Sequence, residues 1–289
     1  MAGVFLSGIF SPNAGIPLLS ISRVIMKSPL RYPGGKSRAA KYIVTFVPSD
    51  IKEFCSPFMG GGSVELTIAA RGVQVYGYDI FQPLTCFWKH LLTSPAALAT
   101  LSDTYRTPDE ENKGLTRMDF LRFKKDLCEE PATTLTHAAK FYALNRSSFS
   151  GATLSGGYSK QAAYKRFTAS SIERVRKFEE KNLYVECLDF KESIPKHPDA
   201  FLYCDPPYLL EKNNNLYGKN GNAHSGFDHE GLFSLLNKRK GWLLSYNNTP
   251  EIREMYKDYE IFEAHWAYGM KNVATKTMGS SSEILVIGQ

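Results

Sequence analysis

Residues 200–208 read Ala-Phe-Leu-Tyr-Cys-Asp-Pro-Pro-Tyr, an apolar stretch ending in an acid, two prolines and an aromatic ring. These residue types suit one reaction in particular. An exocyclic amine on an aromatic ring is a weak nucleophile because its lone pair is delocalised. An acceptor on each N–H favours a pyramidal nitrogen, which frees the pair to attack a sulfonium methyl in line. Asp205 supplies one acceptor and the Pro206 carbonyl the other, its aim fixed by the restricted Pro206-Pro207 backbone. Tyr208 can stack on the base, which must leave a duplex to reach the site. Near-attack placement in a dry pocket then carries much of the rate. Asp205 need not be a strong base, since the amine proton becomes acidic only as the methyl transfers. Average composition yields this tetrapeptide in about one chain in a thousand of this length, so a chance strand-ending turn is the weaker account.

A methyl donor needs its own pocket, and two glycine turns are candidates. Gly34-Gly35-Lys36-Ser37 resembles the end of a Walker A loop, but the first glycine of GxxxxGK would fall on Leu30. Pro57-Phe58-Met59-Gly60-Gly61-Gly62-Ser63 lies between a strand and a helix, yet GxGxxG would require glycine at Glu65. Neither the usual ATP loop nor the usual dinucleotide loop is present. Glycines after a first strand still let a ligand approach the backbone. Asp79 closes the next strand, 19 residues after Gly60, where a carboxylate can accept from ribose hydroxyls. Each feature alone is equally a tight turn or a solvated strand end. Together they favour a nucleoside-bearing cofactor without a pyrophosphate, which S-adenosylmethionine satisfies.

The elements that must position these groups alternate. Runs at Ile51–Phe58, Val73–Ile80, Leu183–Leu188, Ala200–Cys204, Trp242–Tyr246, Tyr259–Trp266 and Glu283–Ile287 have strand character. Helical stretches fall at Ser37–Val47, Ser63–Arg71, Pro83–Leu101, Ser170–Lys181, His229–Lys238 and Pro250–Tyr256, with Ser170 and Glu173 set as a capping box. The alternation predicts βαβ units and a mostly parallel sheet covered on both faces, closed by an antiparallel pair. Between about Ser102 and Asn182 helix and loop replace strands, as an inserted lobe would. The expected division is an extension at 1–26, a catalytic part at 27–101, a target-recognition lobe at 102–182, and a second catalytic part at 183–289.

Charge is concentrated in that insert. Residues 140–181 hold nine basic and three acidic side chains, a local +6 that equals the net charge of the whole chain. No Asp or Glu occurs from Asn145 to Ser171, where Arg146, Lys160, Lys165 and Arg166 interleave with Phe149, Tyr158, Tyr164 and Phe167. A solvated face is the plain reading of a charge run. Aromatics and glycines among the cations suit a loop that grips phosphates and packs on bases.

Composition removes other classes. The 289 residues bury a full core, and the five cysteines contain no CxxC pair. The six histidines show no metal-ligand spacing, so no metal is expected. No run of about 18 apolar residues points to a membrane span. The first 25 residues carry one charge, Arg23, and lack the pattern of a signal peptide, so they read as an extension with Met26 as the natural start. The expected compartment is the cytoplasm.

These residues resemble the Dam-like (D12 class) adenine-N6 DNA methyltransferases over nearly all of the chain from about residue 28. Arg31-Tyr32-Pro33-Gly34-Gly35-Lys36 resembles the family's N-terminal cofactor motif, and Pro57-Phe58-x-Gly60-Gly61-Gly62-Ser63 its glycine loop. Asp79 matches its ribose-binding acid, Asn145-Arg146-Ser147-Ser148-Phe149-Ser150-Gly151 the start of its DNA-recognition stretch, and Asp205-Pro206-Pro207-Tyr208 its catalytic motif. The motif order is that of the alpha group. The resemblance implies an α/β fold with a seven-stranded Rossmann-like methyltransferase sheet containing one antiparallel strand. It also implies S-adenosylmethionine as donor and adenine N6 in double-stranded DNA as acceptor. Tyr32, Lys36, Phe58, Gly60, Gly62, Asp79 and Asp205 then line the cofactor, with Asp189-Phe190 bordering its adenine. Asp205, Pro206 and Tyr208 act on the base, while Asn145, Arg146, Lys160, Lys165 and Arg166 meet DNA. Tyr32 stands where many members have tryptophan, and Ala152–Tyr164 follows the family only loosely, so no recognition sequence carries over.

A restriction-modification setting, with a cognate endonuclease acting on the same site, fits such an enzyme. Cytosine N4 in DNA, or an amine of RNA or protein, remains an open alternative from the motif alone, although motifs for the latter usually begin with Asn. A non-catalytic DNA-binding protein on the same fold is the alternative from another class.

Overall fold

Parallel strands covered on both faces must be apolar nearly throughout, and the central strands of this chain are. The computed structural model describes residues 27–107, 114–209, 226–264 and 283–289. Among them all seven expected runs form strands: β1 (Glu53–Ser56), β2 (Gln74–Asp79), β3 (Leu183–Cys187), β4 (Phe201–Cys204), β5 (Trp242–Asn247), β6 (Glu260–Glu263) and β7 (Glu283–Gly288). Every residue of β4 is buried, as are the first five of β5. They make one sheet in the order β3-β2-β1-β4-β5-β7-β6. β1 through β5 pair in parallel, and β7 inserts between β5 and β6, antiparallel to both. The sheet is therefore of the Rossmann-like methyltransferase kind with a single reversed strand.

Strand order reverses at β1, which pairs with β2 on one side and β4 on the other. Open α/β sheets bind ligands at the carboxyl ends of the strands flanking such a reversal. The glycine turn follows β1 and Asp205 follows β4, so the topology brings both to one place.

The helices depart from expectation where a local residue overrides periodicity. The stretch at 37–47 yields only α1 (Ala40–Ile43) and a 3-10 turn, Val44–Phe46. Ala39 offers no side-chain cap, and Val47 is extended ahead of Pro48. After α2 (Ser63–Ala69), the single helix expected at 83–101 is two, α3 (Gln82–Thr93) and α4 (Pro95–Thr104). Ser94, forced out of helical geometry by Pro95, has φ −146° and ψ 52°. Next come α5 (Arg117–Glu129), α6 (Leu135–Ser147) and α7 (Lys160–Arg166).

The capping box of α8 (Ala169–Arg176) is made by Thr168 and Ser171, not by Ser170 and Glu173. Starting the helix at residue 169 points Glu173 at Arg176 and Lys177, with which it forms ion pairs. The last helices are α9 (Phe190–Lys196), α10 (His229–Leu236) and α11 (Pro250–Met255).

The helices between β2 and β3 share a hydrophobic core with the sheet. Tyr142 of α6 stacks on Phe87 of α3 with ring centroids 5.5 Å apart, and Phe178 meets the edge of Trp88 at 6.2 Å. Most of α6 is buried, from His137 to Ser147 except at Lys140 and Arg146, which makes it the central post of this region. Its C-terminal turn carries Asn145 and Arg146 toward the segment at 29–31.

Candidate active site

The chain leaves β1 at Ser56 and turns back on itself, with the Met59 N–H donating to Tyr78 O of β2 at 2.8 Å. Gly60 and Gly62 take φ of 49° and 68°, a region that L side chains rarely adopt. A Cβ on Gly62 would lie 2.7 Å from the Trp88 ring, and one on Gly61 2.9 Å from Tyr32 Cβ. The three-glycine run is thus required by crowding as well as by torsion. Trp88 locks it from below by donating to Gly60 O at 3.1 Å.

Asp79, half-buried at the end of β2, accepts from Gly60 N–H at 3.0 Å and Phe81 N–H at 2.9 Å, one on each oxygen. Burial pushes its carboxyl up to about 6, and the two N–H bonds hold the rise back. Each oxygen keeps a free lone pair, so the carboxylate can still accept from a ribose hydroxyl.

Leu188 N–H donates to Asp79 O, tying the end of β3 to that of β2. Asp189 follows directly and caps α9 by accepting from Lys191 N–H at 2.8 Å. Phe58 packs on Phe190 and Phe227, each 5.6 Å away between centroids. Tyr32, Phe58, Gly60, Gly62, Asp79 and Asp189 therefore gather around the carboxyl ends of β1 to β3.

One strand further, Asp205 leaves β4 and meets Lys36. The Lys36 ammonium donates to Asp205 Oδ1 and Oδ2 at 2.7 and 2.8 Å, to Tyr208 Oη at 2.9 Å and to Gly34 O at 3.3 Å. Burial raises the Asp205 carboxyl above its ordinary value, and Lys36 opposes that rise by charge and hydrogen bonding. The Tyr208 ring lies nearly parallel to Tyr246, 5.9 Å between centroids. Asn247 Nδ2 donates to Leu209 O and pins the chain just beyond the tetrapeptide.

The site also contains residues that sequence reasoning passed over. Glu65, buried in α2, accepts from Ser56 Oγ at 2.6 Å and forms no ion pair among the described residues. Burial pushes its carboxyl up to about 7, and Asp205 adds repulsion. Tyr203 and Ser245 hydrogen-bond beneath Asp205 at 2.9 Å. Ile80, next to Asp79, is an exposed apolar side chain. An acid in the mostly apolar run Val-Glu-Leu-Thr-Ile-Ala was the legible signal for Glu65.

The residues expected to meet DNA separate into two groups. Lys160 and Lys165 are exposed on α7, beside exposed Tyr164 and near Phe149, whose ring is 70% accessible. Asn145 is a correction: it is 0% exposed, and its amide is used within the protein by Arg31 and Gly151. A fully buried amide with both donors engaged inside the fold cannot reach a base edge. Arg146 is also drawn inward, donating from Nε to Arg166 O at 3.0 Å and from a terminal nitrogen to Pro29 O at 3.3 Å. Burial lowers its basicity, opposed by Tyr142 and reinforced by the positive charges of Arg174, Arg166 and Arg31. Arg166 is half-buried, with one terminal nitrogen enclosed and lacking a hydrogen-bond partner among the described residues.

Among the described residues no helix is long and apolar enough to cross a membrane. The extension at 1–26 lies outside the described residues. The chain is similar to the Type II methyltransferase M1.LlaDCHI of Lactococcus lactis subsp. cremoris. The two are 22% identical over 287 residues, covering 93% of this chain and 98% of that protein. Residues 32–270 match the D12 class N6 adenine-specific DNA methyltransferases, and that span runs from Tyr32 through the glycine turn to and beyond Tyr208. The chain belongs to the D12 class N6 adenine-specific DNA methyltransferase family.

Proposed function

We propose that this protein is a site-specific, adenine-specific DNA methyltransferase that acts on N6 of an adenine flipped out of duplex DNA. The observation that carries the reading is the position of Asp205-Pro206-Pro207-Tyr208 after β4, immediately beside the glycine turn after β1. Bound S-adenosylmethionine supplies an electrophilic methyl on a sulfonium. Tyr32, Phe58, Gly60, Gly62, Asp79 and Asp189 hold it, with Ile80 as an apolar wall. Asp205 accepts from one N–H of the amine and the Pro206 carbonyl from the other, while Tyr208 stacks on the ring.

Lys36 occupies both oxygens of Asp205, so the amine must displace or share one of these bonds when it enters. That exchange leaves Asp205 ionised and oriented, since the remaining Lys36 bond fixes the carboxylate. Residues 102–182 act as the recognition lobe, in which Lys160, Lys165 and Arg166 grip phosphates and Arg146 shapes the surface from within. The similarity to a Type II methyltransferase supports a restriction-modification role; a cognate endonuclease acting on the same site and a place in the cytoplasm complete this reading.

Tritiated S-adenosylmethionine incubated with unmethylated duplex DNA should label DNA, and hydrolysis should return the label as N6-methyladenine. Label found only in protein or RNA sinks the proposal. Label on cytosine N4 selects the nearer alternative.

A further inference from the structure

The segment at 31–36 touches three parts of the site at once. Lys36, at one end, holds Asp205. Tyr32, near the other, lies against Gly60 and Gly61, and Gly35 N–H closes a turn onto Tyr32 O at 3.0 Å. Arg31 itself is held from the opposite direction by α6. Its N–H donates to Asn145 Oδ1 at 3.0 Å, and its carbonyl accepts from Asn145 Nδ2 at 2.7 Å. The second N–H of the same amide donates to Gly151 O at 3.1 Å.

One buried carboxamide thus reads both backbone groups of Arg31, as a neighbouring strand would, and spends its last donor on residues 148–151. The fit there is close. Gly151 has φ 77°, and a Cβ on it would lie 2.0 Å from Arg31 O. Ser150 is held at φ 58°, unusual for a residue with a side chain, and presents the exposed Phe149 ring beside it. Phe149 N–H and Ser159 N–H bond to Gly157 O and Ser147 O, which braces this turn against the start of α7.

A turn that moves when DNA seats on it must therefore move Arg31, and Arg31 is five residues from Lys36. We propose that Asn145 is a positioning residue that couples occupancy of the 148–151 turn by DNA to the cofactor pocket, through its clamp on the Arg31 backbone. The proposal rests on the reading of the protein as a DNA methyltransferase. It assigns Asn145 an energetic role at a distance in place of a contact with a base. Coupling of this kind is reciprocal, and amounts to about 5- to 150-fold in affinity where it has been characterised.

The test is the dissociation constant of labelled S-adenosylhomocysteine, with and without saturating unmethylated genomic DNA, for the wild type, Asn145→Ala and Asn145→Asp. The aspartate keeps the shape and the acceptor for Arg31 N–H but, as a carboxylate, loses both donors. The wild type should bind the probe at least fivefold more tightly with DNA present. Both variants should bring that ratio below twofold, while the constant without DNA changes by less than threefold. A wild-type ratio near one, or a variant ratio equal to wild type, overturns the proposal. If neither variant folds, as judged by thermal unfolding, Asn145 is only a structural post and the proposal is likewise overturned. Methyl transfer by the wild type to the same DNA, scored in parallel, separates failure of the coupling from failure of the enzymatic assignment.

Discussion

Lys36 and Asp205, 169 residues apart in sequence, form a bidentate ion pair at 2.7 and 2.8 Å in the middle of the site. The ammonium is almost wholly buried, so neither partner can be removed without consequence for the other.

Asp205→Ala should abolish methyl transfer by about three orders of magnitude or more while cofactor affinity stays within a few-fold. The same change strands the Lys36 ammonium, and the variant should lose about 3 kcal/mol of stability. Adding Lys36→Met to Asp205→Ala should recover stability in denaturant unfolding without recovering activity. Appreciable transfer by either variant rejects the role given to Asp205.

Lys36→Met in the wild-type background should displace the acid limb of kcat/KM to higher pH. Burial raises the Asp205 carboxyl and Lys36 is the first influence opposing it, so removing Lys36 lets the rise proceed. Asp205 acts as an acceptor in its ionised form, and a higher value means that more alkaline solution is needed to reach it. A pH–rate profile whose acid limb does not move contradicts this account.

Glu65→Gln should stabilise the protein at neutral and alkaline pH. The folded carboxyl is pushed up to about 7 from an ordinary 4.5, so the folded state holds a proton that the unfolded chain releases first. Stability therefore falls as pH rises from about 4.5 to about 7, by on the order of 3 kcal/mol. The neutral glutamine keeps an acceptor for Ser56 Oγ and has no such slope. Melting temperatures across this range should diverge between variant and wild type, converging again near pH 4.

Asp79→Asn should weaken S-adenosylmethionine binding by about 10- to 100-fold, since a charged acceptor is replaced by a neutral one at the ribose. Calorimetry should also show wild-type affinity declining as pH falls through about 6, where Asp79 takes up its proton. The variant should lack that decline. Unaltered affinity in Asp79→Asn removes Asp79 from the cofactor site.

Lys160→Gln and Lys165→Gln should each lower DNA affinity and reduce the slope of log K against log salt by about one. Neither should alter cofactor affinity without DNA. A slope equal to wild type in both variants means that α7 faces away from the duplex.

Much of the sheet was legible because buried parallel strands leave continuous apolar runs. Phe201–Cys204 is nothing else, and its end at Asp205 is marked by an abrupt change of residue type. Helix ends were less legible. The break at Ser94 follows from Pro95 alone, yet the apolar spacing across it still reads as one helix. The cap of α8 moved by two residues because Thr168 and Ser171 satisfy each other as well as Ser170 and Glu173 would.

The sequence alone determined the patterns on which the proposed chemistry rests: Asp205-Pro206-Pro207-Tyr208, the glycine turn and Asp79 are local, and their residue types and spacing limit what they can do. Only the tertiary structure decided which polar groups are spent inside the fold. Asn145 and Arg146 stand in a basic, acid-free stretch and read as groups for DNA, but both turn inward, and Asn145 closes on Arg31, 114 residues away. Glu65 enters the sequence only as the position where a dinucleotide loop would need glycine, and it is a buried carboxyl under the site. Burial depends on what packs over a side chain from distant parts of the chain. The same amide or carboxyl is a free ligand in water and a committed structural bond out of it.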